Sequence, residues 1–81
     1  MTEANALRTL ALWCKNFGKK SDWLYTYKHD QDKKHILYKY LFDEAEKYGL
    51  VCFLYTKQRI NVHLTDKGKE QVNSYLEFYS L

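Results

Sequence analysis

The side chains best placed to do chemistry in this chain are cations. Lys15, Lys19, Lys20, Lys28, Lys33, Lys34 and Lys39 fall within one stretch of the 81-residue sequence, against Asp22, Asp30 and Asp32. A second, smaller group, Lys57-Gln58-Arg59, follows between two apolar runs. Acids then concentrate at Asp43, Glu44 and Glu46. The formal net charge of +3 is too modest to argue for an anionic partner, so the argument rests on this polarised distribution. Lysines also solvate ordinary surfaces, but Lys33 and Lys34 stand at an expected helix start. There a cation opposes the helix dipole at a cost of about 0.3 kcal/mol or more each.

Other chemistries find little footing. His29, His35 and His63 lack ligand spacing, and His29-Asp30-Gln31-Asp32 reads as a solvated turn rather than a cation site. Asp43, Glu44 and Glu46 read as a solvated helix face rather than an acid–base pair. Cys14 and Cys52 have no C-x-x-C or zinc spacing and no activating neighbour. They are expected as buried free thiols, a disulfide between them requiring an oxidising setting or a hyperthermophilic host. No glycine-rich phosphate loop occurs. The chain is therefore expected to be no enzyme and to carry no cofactor or metal.

One domain spanning residues 1–81 is all this length allows, and its core must be small. Eight Tyr help a thin domain cover that core, since their hydroxyls can stay in water. No long apolar run and no basic-then-apolar leader is present, which predicts a cytoplasmic location.

The elements that must position the cations follow from periodicity and punctuation. A first helix is expected over residues 3–17, capped by Thr2, with Leu7, Leu10, Ala11, Cys14 and Phe17 on one stripe and Gly18 as its stop. Leu12 and Trp13 fall off that stripe, which means either a broad core face or a second apolar surface that meets another subunit. Ser21 or Asp22 caps a short second helix over 22–28, with Trp23, Leu24 and Tyr27 on its apolar side. Asp32, or alternatively Asp30, caps a central helix over 33–48. Its apolar repeat is Leu37, Leu41, Ala45 and Tyr48, and Gly49 stops it. Strands are expected over 50–56 and 60–64, where Ile60, Val62 and Leu64 alternate with Asn61 and His63. Thr65 caps a last helix over 66–79, and Gly68 allows close approach to the hairpin. Val72, Tyr75, Leu76 and Tyr79 form its stripe, with Phe78 beside them.

Two segments carry a family likeness. Glu46-Lys47-Tyr48-Gly49-Leu50-Val51 is similar to the E-x-x-G-L-V passage from a recognition helix into a wing. Val62-His63-Leu64-Thr65-Asp66-Lys67-Gly68-Lys69-Glu70 is similar to the Y-x-L-T-x-K-G-x-E return strand and helix start. With the order of elements, these two segments resemble the winged helix-turn-helix superfamily, in particular its compact MarR- and PadR-like regulators. The chain differs from that pattern between Trp23 and Asp32, where bulky residues replace a small-residue turn.

The resemblance implies an α+β, mostly α fold: a winged helix-turn-helix of three helices, a two-stranded β-hairpin wing and a C-terminal helix. It implies a double-stranded DNA-binding protein, sequence-specific or semi-specific, of the kind that serves as a small transcriptional regulator of a microbe, virus or mobile element. Carried over by position, Lys33, Lys34, His35, Tyr38 and Lys39 would face base edges in the major groove. Lys19, Lys20, Ser21 and Lys28 would flank the backbone, and Lys57, Gln58 and Arg59 at the wing tip would touch a phosphate or groove. A homodimer is expected, with Leu12, Trp13, Tyr75, Phe78 and Tyr79 at its interface. The alternative keeps the fold as a protein–protein adaptor that binds no nucleic acid.

Overall fold

The computed structural model describes residues 1–17, 23–28 and 36–79. In chain order they form α1 (Glu3–Asn16), β1 (Trp23–Lys28), α2 (Ile36–Lys47), β2 (Val51–Tyr55), β3 (Arg59–Leu64) and α3 (Asp66–Phe78). The fold is a small α+β domain, mostly helical, whose described residues hold three helices and one antiparallel sheet ordered β1-β3-β2.

Local chemistry sets most of these boundaries. The Thr2 hydroxyl accepts the Asn5 N–H at 3.2 Å and starts α1, with Glu3 in the favourable first turn. α2 ends in a Schellman turn. Gly49 takes φ 76°, its N–H donates to the Glu46 carbonyl at 2.9 Å, and the Leu50 N–H reaches the Ala45 carbonyl at 2.9 Å. Thr65 caps α3 by accepting the Gly68 N–H at 2.9 Å, and its hydroxyl donates to the Gly49 carbonyl at 2.6 Å. Gly68 lies so close to the chain before β2 that a Cβ there would stand 1.9 Å from the Leu50 carbonyl oxygen. The end of α2 and the start of α3 are thus one corner, and the two segments that carry the family likeness meet in it. Lys67 adds a bond to the Tyr48 carbonyl at 2.9 Å.

The segment expected as a helix over 22–28 is instead strand β1, paired along β3 from Trp23 opposite His63 to Lys28 opposite Arg59. Two effects misdirect a periodicity reading. Trp, Tyr and Thr favour the pleated surface. A register shift between Trp23 and Tyr25 also breaks the two-residue alternation, as a bulge does. Leu24 is fully buried, and the next residue, Tyr25, also packs inward against Trp13 and Phe42. Adjacent apolar residues on one side imitate helical spacing. The β2–β3 hairpin, expected as a two-stranded wing, is accordingly part of a three-stranded sheet.

The core gathers Leu10, Ala11, Trp13 and Cys14 of α1, Leu41, Phe42 and Ala45 of α2, Leu24, Val51 and Val62 of the sheet, Leu50 beside β2 and Val72 of α3. Trp13, expected as an alternative subunit surface, is only 7% exposed. Its ring meets Phe17, Tyr25, Tyr38 and Phe42 at centroid distances of 4.2 to 5.7 Å. Its indole N–H finds no acceptor among the described residues, a cost of about 1–3 kcal/mol that this packing offsets. Phe17, expected on the buried stripe, is largely exposed. Leu41 and Ala45 of the expected α2 stripe are buried, and Phe42, absent from that stripe, is fully buried beside them, so the inward face of the helix is broader than its periodicity implied.

Candidate nucleic-acid interface

The antiparallel register decides where the cations go. β1 ends and β3 begins at the same end of the sheet, with Lys28 opposite Arg59 and Tyr55 opposite Ile60. Lys57 and Gln58 form the tip of the hairpin beside them and are exposed, as is Arg59. The turn has no glycine, and Thr56 holds it closed. Its N–H donates to the Arg59 carbonyl at 2.8 Å, its hydroxyl donates to the same oxygen at 3.1 Å, and the Arg59 N–H donates to that hydroxyl at 3.0 Å. Among the described residues no carboxylate pairs with Lys57 or Arg59. The tip therefore presents two uncompensated cations on a short, bonded turn.

Lys39, near the start of α2, is exposed but engaged. Its ammonium donates to Asp43 at 2.8 Å, one turn along the helix. That hydrogen bond first, and the carboxylate charge second, raise its pKa above the ordinary value, and the exposed Tyr55 acts in the same direction. Tyr38 does not face outward as expected. It is half-buried, its ring 4.6 Å from Trp13 and 5.5 Å from Tyr25. Turning Phe42 and Leu41 inward carries Tyr38 with them, because positions three and four apart share a helix face. Lys19, Lys20, Ser21, Lys33, Lys34 and His35 lie outside the described residues. The structure thus brings Lys28, Lys57, Gln58 and Arg59 to one end of the sheet and takes Tyr38 away from any groove.

Two exposed aromatic residues of the sheet were missed by the sequence reading, Tyr55 beside the tip and Trp23 at the far end of β1. Tyr55 is 69% exposed, one residue before the turn, where strand alternation alone points it to the core side. Trp23 lies across from His63, its indole N–H donating to the Thr26 hydroxyl at 2.9 Å, while that hydroxyl reaches the Asn61 side-chain oxygen at 2.9 Å. An aromatic residue in the misread segment was the available signal.

Elsewhere, burial pushes the Cys14 thiol up to about 11, which leaves it a poor nucleophile at neutral pH. Both cysteines are free, Cys14 buried and Cys52 half-buried. Among the described residues no three His, Cys, Asp or Glu side chains are grouped to hold a metal ion. No described helix is long and apolar enough to cross a membrane. In comparisons with protein-family models, curated proteins and solved structures, nothing matched this chain.

Proposed function

We propose that this chain is a winged-helix module that binds double-stranded DNA, as a small transcriptional regulator does, with its hairpin tip against the phosphate backbone. The observation that carries this reading is the register of β1 on β3, which sets Lys28 beside Arg59 and the Lys57-Gln58 turn. Cations from segments about thirty residues apart then share one end of the sheet. A guanidinium at such a tip can bind a phosphate in a two-pronged fashion, and an ammonium can follow it as a point charge. Of the expected base-edge set, Lys33, Lys34 and His35 remain candidates. Tyr38 is withdrawn by its packing, and Lys39 would have to exchange Asp43 for a phosphate. Most of the affinity on this reading is electrostatic and only weakly dependent on sequence.

The test is fluorescence anisotropy with a labelled duplex of about 30 base pairs at low and moderate salt, chosen to exceed one turn between half-sites. The Lys57→Glu/Arg59→Glu double variant is expected to bind at least about tenfold more weakly and to lower the salt slope by about 0.9 for each phosphate contact removed. Lys47→Glu, at the far end of α2, should bind as the parent does. Parent binding that ignores salt, or a double variant that binds as well as the parent, overturns the reading.

A further inference from the structure

We infer that the face built by α1 and the last turns of α3 docks a second copy of this chain, each copy's Phe78 ring entering the other's groove beneath Arg8. This rests on the surface alone and is independent of the DNA reading. Arg8, Leu12, Tyr75 and Tyr79 line an open groove of about 470 Å³. The Tyr75 and Tyr79 rings meet at a tilt of 38°, 4.5 Å between centroids, and Phe78 meets the Tyr79 ring edge-on at 4.9 Å. Phe78 itself is 80% exposed, the most exposed of the large apolar side chains described. The same patch therefore carries a protruding ring and a hollow lined by rings.

A two-fold contact requires that combination, because each residue must find its counterpart on an identical surface. The charges complement each other in the same way. Arg8 and Glu77 are both exposed, and neither forms an ion pair among the described residues. Glu77 lies beside Phe78 on the exposed last turn of α3, and in the proposed contact it would pair with the Arg8 of the other copy. Arg8, which lines the groove, would also offer the entering ring a cation, a favoured cation–aromatic arrangement. Trp13, buried in the core, has no part in this face.

Sedimentation equilibrium of the full chain tests the inference. At about 0.1 mM the parent is expected at twice its 9.8 kDa chain mass. Phe78→Glu is expected to raise the dissociation constant at least tenfold while leaving the circular dichroism spectrum unchanged. Arg8→Glu should weaken association likewise, and adding Glu77→Arg to it should restore much of the loss. The restoration decides the question even if Phe78→Glu fails to fold. A parent that stays monomeric, a Phe78→Glu dimer as tight as the parent, or a charge exchange that restores nothing overturns it.

Discussion

At the scale of single residues, the two thiols show how burial separates identical chemistry. Cys14 lies between α1 and the core, and desolvation lifts it from the ordinary 9.0 to about 11, an expected loss of about a hundredfold in thiolate at any pH well below both values. Cys52 faces the outer side of the sheet, opposite His63, and is half-buried. Iodoacetamide at pH 8 should therefore modify Cys52 first and reach Cys14 only when the chain unfolds, as peptide mass spectrometry would show. Equal rates at the two positions would contradict the packing described. The sequence placed both cysteines in the core because each sits among apolar neighbours. It could not show that the β2 register points Cys52 to the outer face.

At the scale of elements, the caps were legible and the pairing was not. Thr2, Gly49, Thr65 and Gly68 act on backbone groups within four or five residues or on a close contact already implied by a missing side chain, so their roles follow from local rules. β1 depends on a partner strand about thirty-five residues away and on a bulge that disguises its period, and neither is visible in six residues. Leu41 and Ala45 on the inward side of α2 were legible, but Tyr38 and Phe42 were hidden for the same reason: Trp13 and Tyr25 select them, and both selectors come from other elements. Of the candidate interface, the hairpin tip was readable because a turn exposes its own residues. On α2 the exposure of Lys39 was readable too, and the inward packing of Tyr38 was not. The corner between α2 and α3 supplies the element-scale prediction. Gly68→Ala should destabilise the domain by about 3 kcal/mol, since the new methyl meets rigid backbone at Leu50, and urea unfolding would measure it. An unchanged midpoint would show that the corner can open at little cost.

At the scale of the whole molecule, charge and apolar surface are divided between different regions. The hairpin tip holds uncompensated cations, while the opposite corner is knitted together by mixed pairs. There the Met1 ammonium bonds Glu44 at 2.9 Å, the Tyr48 hydroxyl donates to the Met1 carbonyl at 2.7 Å, and Lys67 reaches Glu3 at 3.4 Å. Exposed pairs of this kind add little stability each, and their effect is to fasten the start of α1 to the end of α2 and the first turn of α3. The aromatic end of α3 forms a third surface.

The middle position of β3 has a mechanical consequence. Its amides alternate between partners on both sides, whereas β1 and β2 each leave one edge without a strand neighbour among the described residues. Deuterium should enter β3 last of the three strands, and uptake as fast as in β2 would deny it this anchoring. A tip mounted on such a plate does not sway like a loose arm, so gripping a polyanion would forfeit little motional freedom.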